Sequence, residues 1–357
     1  MGTRAAFLAT WVIVGGLVAC LAFPAYAQAP GEAARAQELL SSGKAKLGKA
    51  AYDEAIADCT QAIALDPNLA GAYSNRGIAR FYKGQYDLAI QDCSKAVELK
   101  PGVAESYYNR GLVYAGKGDC DSAIRDFSKA IELKADYAKA YVDRANAYRR
   151  KAQFDLAIQD CSKAIELRPD YAEAYAGRAL SRSAKGAYDL AIQDCTKAIE
   201  LKPDYAEAYV NRGFAHGEKG EYEAAIQDAA KAIELKPGMA EAYRLRGFVY
   251  GKSGKRDLAI RDYTKAIELK PDDAGAYYNR GVMNLAKGVC DRAIQDFTKA
   301  IELKPGDTRA LYNRAVAYCV SKVYDKAWAD VNAIRQLGGK PDPKFIAQLT
   351  KESGRSE

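Results

Sequence analysis

One period of 34 residues governs this chain. Arg76, Arg110, Arg144, Arg178, Arg212, Arg246, Arg280 and Arg314 recur at that interval, and so do Asp58, Asp92, Asp126, Asp160, Asp194, Asp228, Asp262, Asp296 and Asp330. No insertion or deletion disturbs the register between them. A fixed period of this length means that each unit is one supersecondary element, too small to bury its apolar face alone, so neighbours must stack into a continuous core. Such a chain presents a long surface rather than one enclosed pocket, and its function is expected there.

Read from Ala104, one unit is AESYYNRGLVYAGKGDCDSAIRDFSKAIELKADY, with positions numbered from that alanine. Apolar or small residues at positions 4, 8 and 11, then 20, 24 and 27, follow helical spacing in two segments. Between them stand turns such as Lys117-Gly118 and Lys219-Gly220, where glycine permits a tight reversal. Position 32 closes the second helix with Pro67, Pro101, Pro169, Pro203, Pro237, Pro271 and Pro305. Lys202 and Lys236 just ahead of it suit the negative end of the helix dipole. Asp170 and Asp204 are expected to cap the next helix, with Glu173 and Glu207 completing capping boxes. The fold class that follows is all-α, a solenoid of antiparallel helix pairs.

At positions 4, 7, 8, 11, 20, 24, 27 and 32 that unit carries Tyr107, Arg110, Gly111, Tyr114, Ala123, Phe127, Ala130 and Ala135. This resembles the tetratricopeptide repeat family, whose pattern there reads roughly Trp, Leu, Gly, Tyr, Ala, Phe, Ala, Pro. The resemblance implies a right-handed superhelical solenoid, with nine repeats over residues 36–341. Two departures stand out: arginine replaces leucine at position 7 in eight units, and position 24 is often cysteine, as in Cys59, Cys93, Cys161 and Cys195. The first unit is degenerate, with Leu39, Ser42 and Lys46 where later units place tyrosine, arginine and often tyrosine, as suits an end with one solvated face. Residues 342–357 read as a capping helix and polar tail. Asp342 is its cap, Pro343 its first residue, and Phe345, Ile346 and Leu349 form one apolar stripe.

Residues 1–27 read as a secretory signal peptide: Arg4, an apolar run from Ala5 to Phe23, Pro24, then Ala25-Tyr26-Ala27 with cleavage at Ala27-Gln28. Residues 28–35 are then a short linker. Export to the bacterial periplasm is the expectation. Two alternatives exist: an uncleaved anchor, because the run approaches the roughly 20 residues of a membrane span, and an outer-membrane lipoprotein, because Leu17-Val18-Ala19-Cys20 resembles the bacterial lipobox. Membrane association is expected only through lipidation at Cys20.

Lys and Arg total 53 against 46 Asp and Glu, a formal net charge of +7, and removal of the leader with its one arginine lowers it by one. The charges are interleaved along helix faces, which is the pattern of a solvated surface. Nucleic acid is therefore not an expected partner, since clustered cations on a groove-entering element are missing. No catalytic residue, metal site or cofactor is implied. The only histidine, His216, occupies position 11, where Tyr114, Tyr148, Tyr250 and Tyr318 stand elsewhere, and reads as a packing substitute. Cys93, Cys161 and Cys195 share one position in successive helices, spaced by about a helix diameter, ~8–10 Å. That lies beyond the ~7 Å reach of a disulfide, so buried thiols are expected. Cys120 and Cys290 replace the aromatic residue at position 17, and Cys319, alone at position 12, is the thiol expected to react first.

In an antiparallel pair joined near position 15, position 7 faces 23 and position 8 faces 20. Each arginine should then reach the aspartate 16 residues later: Arg76 to Asp92, Arg110 to Asp126, Arg144 to Asp160, Arg178 to Asp194, Arg212 to Asp228, Arg246 to Asp262, Arg280 to Asp296 and Arg314 to Asp330. The ladder is expected to fix helix register, its guanidinium groups paired and its stems packed.

The family resemblance further implies that first helices line a concave groove through positions 2, 5, 6, 9, 12 and 13. Position 6 carries Asn75, Asn109, Asp143, Gly177, Asn211, Leu245, Asn279 and Asn313. These five asparagines resemble the ladder in the arm of the O-linked N-acetylglucosamine transferase, where amides hold an extended peptide by its backbone. Tyr108, Phe214, Phe248, Tyr278 and Tyr312 would stand beside them as aromatic anchors, with Arg149 and Arg150 as a basic spot. The lysine that related clamps use for a terminal carboxylate is missing from position 5. The expected function is a protein- or peptide-binding scaffold of the cell envelope. The alternatives are a lipid-anchored outer-membrane assembly or cell-wall factor, and a substrate-presenting arm of a separate enzyme.

Overall fold

The computed structural model describes residues 8–14, 17–23 and 30–355, with side chains from Gly31 onward. The expected cleavage point at Ala27-Gln28 and the side chain of Cys20 lie outside the described residues. The apolar segment near the N-terminus forms two antiparallel strands, β1 (Leu8–Val14) and β2 (Leu17–Phe23), with Trp11 opposite Cys20 in the register. Every other element among the described residues is an α-helix. None of these helices is long and apolar enough to cross a membrane.

The elements gather into two units, Met1–Ala152 and Gln153–Glu357. The first contains α1 (Pro30–Gly48), α2 (Tyr52–Leu65), α3 (Ala70–Tyr82), α4 (Tyr86–Leu99), α5 (Ala104–Lys117), α6 (Cys120–Leu133) and α7 (Ala138–Arg150). The second contains α8 (Phe154–Leu167), α9 (Ala172–Ala184), α10 (Tyr188–Leu201), α11 (Ala206–Lys219), α12 (Tyr222–Leu235), α13 (Ala240–Lys252), α14 (Arg256–Leu269), α15 (Ala274–Ala286), α16 (Cys290–Leu303), α17 (Thr308–Val320), α18 (Tyr324–Gln336) and α19 (Pro343–Ser353). Because α1 begins at Pro30, most of the segment expected to be a linker is its first turn, with proline at the one place in a helix where its missing N–H costs nothing.

Within each unit, odd-numbered helices from α3 to α17 are the first of a repeat and the next helix is the second. The pairs are antiparallel: Arg76 meets Asp92 and, one turn on, Phe81 meets Tyr86 edge-on at 6.0 Å. Gly118 and Gly220 make the reversal in the left-handed region at φ 95° and 83°. Position 8 faces 24 more than 20, which corrects the expected pairing. A Cβ on Gly111 would fall 2.8 Å from the Phe127 ring, and one on Gly77 would fall 2.6 Å from Cys93 Sγ. Only the backbone oxygen of position 20, Ala89, shares that contact. Glycine at position 8 and bulk at position 24 are thus one steric bargain, with the core of each pair drawn in by alanines such as Ala89, Ala96, Ala191 and Ala198.

The expected capping boxes do not form. Tyr171 and Tyr205 stand at the N-caps of α9 and α11, so Asp170 and Asp204 come one residue too early to cap. Glu173 and Glu207 pair instead with Lys202 and Lys236, at 3.6 and 2.6 Å. Aspartate does cap where it falls in phase: Asp273 accepts from the Ala276 amide, Asp307 from Arg309 and Asp342 from Lys344. The terminal α19 keeps the 34-residue register, for Ile346 follows Tyr312 by one period. Phe345 packs edge-on to Tyr312 at 5.3 Å, and the Trp328 indole N–H donates to the Ser353 hydroxyl at 3.2 Å. This helix stands where the first helix of a tenth unit would stand, packed on the last helix pair of the second unit.

The arginine seam and the first-helix face

The repeat period places an arginine on every first helix at the level of an aspartate on the second. Seven of the eight intervals fall inside a unit, and in all seven the pair forms as expected, bidentate through Nε and Nη2. Examples are Arg76 with Asp92 at 3.0 and 2.8 Å, Arg212 with Asp228 at 3.0 and 2.7 Å, and Arg314 with Asp330 at 2.9 and 2.6 Å. Arg110, Arg178, Arg246 and Arg280 hold Asp126, Asp194, Asp262 and Asp296 in the same way. The eighth interval, Arg144 to Asp160, straddles the two units. The carboxylates are buried and the guanidinium groups nearly so, which makes fork-to-carboxylate geometry the arrangement that tolerates burial.

Sequence reasoning missed the third arm of this seam. The remaining nitrogen, Nη1, donates to a hydroxyl 16 residues earlier, on the second helix of the preceding repeat: Arg76 to Thr60, Arg144 to Ser128, Arg178 to Ser162, Arg212 to Thr196, Arg280 to Thr264 and Arg314 to Thr298, at 2.9–3.1 Å. Each of these arginines therefore ties its own helix to the repeat before it. The signal was present as a periodic Ser or Thr at position 25, broken only by Ala230 beneath Arg246 among these units. Tyrosine at position 4 stands under the guanidinium in seven of the eight units, as with Arg212 over Tyr209 at 5.5 Å, whereas the last unit has Leu311 there and Arg314 lies over Tyr318 instead. A second, exposed ladder also went unread: Lys117 reaches Asp87 and Lys219 reaches Asp189, each 30 residues back, at 2.7 Å, and Arg355 after α19 repeats the step to Asp325 at 2.6 Å.

Position 11 supplies further donors to the same aspartates. Arg80 and Arg182 bond Asp92 and Asp194 at 2.8 and 2.7 Å, and the Asn284 amide bonds Asp296 at 3.0 Å. His216 stands at the same position, partly buried, with Nε2 4.0 Å from Asp228, too far for a hydrogen bond, and Nδ1 meeting Glu221 at 2.5 Å. In the degenerate first unit, Ser42 and Lys46 together replace the arginine on Asp58, at 2.6 and 2.9 Å. Burial alone would raise the Asp58 pKa; Lys46 and Ser42 hold it below the ordinary carboxylate value.

The thiols at position 24 are buried against the seam. Burial pushes Cys59 up to about 11, and Cys93 and Cys195 to about 12. Cys161 is buried at the same level. Cys319, expected to be the reactive one, is also buried; desolvation, aided by Glu352, which accepts from its thiol at 3.2 Å, raises it to about 11. The docking of α19 covers it. Cys120 and Cys290 are the partly exposed pair.

On the first-helix face, Asn75, Asn109, Asn211, Asn279 and Asn313 are all partly exposed. Two are engaged: Asn109 donates to the Ser74 hydroxyl at 2.9 Å and Asn313 to the Tyr278 hydroxyl at 3.0 Å, each reaching position 5 of the repeat before. Tyr108 is no surface anchor. It is 3% exposed, packs on Phe127 and Tyr137, and its hydroxyl donates to Asp143 at 2.6 Å. Tyr278 meets Phe297 in the same way and stays partly exposed, so what sets Tyr108 apart is the further contact with Tyr137 and Asp143. In the second unit Phe214, 42% exposed, stacks with Phe248 at 6.2 Å, and Lys252 lies over Phe248 at 5.2 Å. Farther along, Tyr278, Tyr312 and Asn313 line a cleft of about 390 Å³ with Arg309, Lys340 and Asp342. Arg309 lies over the Tyr278 ring at 5.1 Å. Leu245 is buried, which interrupts the amides in the middle of this unit.

Family models described as Tetratricopeptide repeat match residues 70–102, 138–171 and 206–239, and 104–137 and 274–307; another, described as TPR repeat, matches 179–220 and 252–288. The chain belongs to the tetratricopeptide repeat family. No curated protein matches it. Among solved structures it is similar to a chain of the APC/C hetero-tetramer Cut9-Hcn1, with a TM-score of 0.61 at 19% identity over 78% of this chain and 55% of that one. It is also similar to a tetratricopeptide repeat protein from Parabacteroides merdae, with a TM-score of 0.53 at 19% identity over 71% of this chain and 99% of that one. The chain thus spans only about half the length of the first. At such identity these likenesses show the solenoid fold alone.

Proposed function

We propose that this scaffold binds extended polypeptide along its first helices in the second unit, from the Phe214–Phe248 stack to the cleft at Tyr278, Tyr312 and Asn313. The observation that supports it most is the coincidence, in that cleft, of amide, aromatic rings and two cations on one partly exposed face. Asparagine amides match a peptide backbone in both donor and acceptor, while the rings offer flat apolar contact without reading one sequence. The chain acts by holding a partner rather than by chemistry of its own. Photocrosslinkers at Phe214 and at Tyr312 should both capture the same partner peptide, and a partner captured only from the second-helix side would overturn the assignment.

The cell envelope is the proposed location. Arg4, the apolar run and Ala25-Tyr26-Ala27 support export as a soluble scaffold. Cys20, at the end of Leu17-Val18-Ala19, supports the second reading, a lipid-anchored envelope factor. The mass of the mature N-terminus decides between them: a chain beginning at Gln28 supports soluble export, one beginning at an acylated Cys20 supports the anchor, and an uncleaved chain in the cytoplasm overturns both.

A further inference from the structure

The seam is sealed differently at one repeat. At position 11, Tyr148 and Tyr318 lie over the guanidinium groups of Arg144 and Arg314, each at 5.8 Å, while Arg80 and Arg182 extend over Asp92 and Asp194. In α15 the residue there is Asn284, which is buried and shorter than all of these. It spends one amide N–H on Asp296 and fills nothing beyond it. The result is a cleft of about 260 Å³ between α14 and α16, floored by Arg280, Asn284 and Asp296 and walled by Ile260, Thr264, Arg292 and Gln295.

The chemistry of that lining is cationic. Asp296 already accepts from Nε and Nη2 of Arg280 and from Asn284, so its charge is met from within the seam. Arg280 uses three of its five N–H groups on Asp296 and Thr264, leaving two. Arg292 stands at position 19, where Leu88, Leu156 and Leu190 occur in other repeats, and it makes no salt bridge among the described residues. Its neighbour Asp291 is exposed on the outer side of α16. One unpaired planar fork, two spare guanidinium N–H groups and the Gln295 amide line one small cleft.

We propose that this cleft binds a carboxylate, held by the Arg292 fork and steadied by Arg280 and Gln295. Bidentate pairing of a guanidinium with a carboxylate is the strong form of this contact, and although Arg292 itself is exposed, the buried Asn284 and the half-buried Arg280 give the cleft a sheltered floor. The site lies between second helices, away from the peptide face, so it is independent of the proposed peptide binding. The carboxylate can come from a small di- or tricarboxylic acid or from a Glu or Asp side chain of a protein bound on this side.

The test uses nuclear magnetic resonance of arginine side-chain N–H groups in the full mature chain, titrated with succinate, citrate and a triglutamate peptide, with sodium chloride at matched ionic strength as control. Two variants restore what other repeats carry and so are expected to fold: Arg292→Leu and Asn284→Tyr. Saturable shifts at Arg292 and Arg280 with succinate or citrate support a small acid; saturation by triglutamate alone supports an acidic protein segment. In either case each variant should weaken binding at least tenfold while circular dichroism stays unchanged. Shifts no larger than those with chloride, or affinity unaltered in both variants, overturn the site. Tighter binding of inorganic phosphate than of any carboxylate overturns the ligand class.

Discussion

Positions 6 and 7 of each first helix are neighbours in sequence and opposites in behaviour. Position 7 is arginine from Arg76 to Arg314, and within both units it repeats one set of contacts: an aspartate across the pair, an aromatic ring beside the guanidinium and, everywhere but above Ala230, a hydroxyl on the repeat before. Position 6 runs Asn, Asn, Asp, Gly, Asn, Leu, Asn, Asn, and its partners change with it. The difference follows from what each faces. Position 7 meets only other members of the repeat, so one solution serves every unit. Position 6 faces the side proposed to hold a ligand, where uniformity is not required by packing. In a solenoid, regularity marks what holds the units together and irregularity marks what they are for.

The comparison breaks most sharply if the seam can lose a member without loss of stability. Arg246→Ala leaves Asp262 buried without its cation and should cost about 3–5 kcal/mol, the range for one broken partner of a buried pair. Adding Asp262→Ala to it should recover a large part of that loss, because the stranded charge goes with it. Urea unfolding of the single and double variants measures both, and a single variant within 1 kcal/mol of wild type would make the seam ornamental. Arg246 is the chosen site because Ala230 beneath it offers no hydroxyl to share the load.

The thiols sharpen the same contrast. Cys93 and Cys195 sit against the seam with pKa values pushed to about 12 from an ordinary value of 9.0. At pH 8 their thiolate fraction should be about a thousandfold below that of an ordinary thiol, before burial restricts access further. Maleimide labelling of the folded chain should therefore go first to Cys120 and Cys290, and reach Cys93 and Cys195 only on unfolding. Cys319 should join the slow group until α19 is removed. Peptide mapping after timed labelling reads the order directly.

On the first-helix face the effects are smaller and fall on binding. Asn279→Ala with Asn313→Ala should weaken capture of an extended peptide by about 1–3 kcal/mol, taking a net ~0.5–1.5 kcal/mol for each amide. The melting temperature should move little, since the Asn279 side chain has no hydrogen bond among the described residues and Asn313 gives up one bond to Tyr278. A pair of variants that melts early but binds normally would assign these amides to the seam side of the comparison.

Most of the fold was legible in the sequence because the period states it nine times. The Arg–Asp pairs, the turn glycines and the cap at Asp342 required only helical geometry. What escaped was of two kinds. Thr60, Ser94 and their equivalents are periodic yet small, and a small hydroxyl gives no hint of which arginine it serves until neighbouring repeats are stacked. Tyr108 and Cys319 failed for another reason: their exposure is set by partners far along the chain, Tyr137 and Asp143 for the first, α19 for the second. On the candidate face, amide positions followed from spacing, whereas their hydrogen bonds to Ser74 and Tyr278 depended on position 5 of the repeat before, which varies along the chain from Ser74 through Val142 and Arg244 to Tyr278.

Asp143 is the charged residue of position 6, half-buried with its carboxylate taken up by the Tyr108 hydroxyl, and it offers the finest test. Burial holds its carboxyl above the ordinary range, against the pull of the Tyr108 hydroxyl and of Lys139. A carboxyl whose folded pKa is raised binds protons more readily folded than unfolded, so it opposes folding at pH values above its unfolded pKa of roughly 3.9 and ceases to do so below it. Asp143→Asn keeps an oxygen to accept from Tyr108 and removes the ionisation. At pH 7 the variant should therefore melt slightly above wild type, and at pH 3 the two should coincide. The other asparagines, changed to aspartate one at a time, should show no such pH-dependent gap, because they are solvated enough to ionise freely. Equal pH profiles for Asp143→Asn and wild type would place Asp143 on the solvated face with the rest of position 6, and Tyr108 would then return to the list of surface anchors.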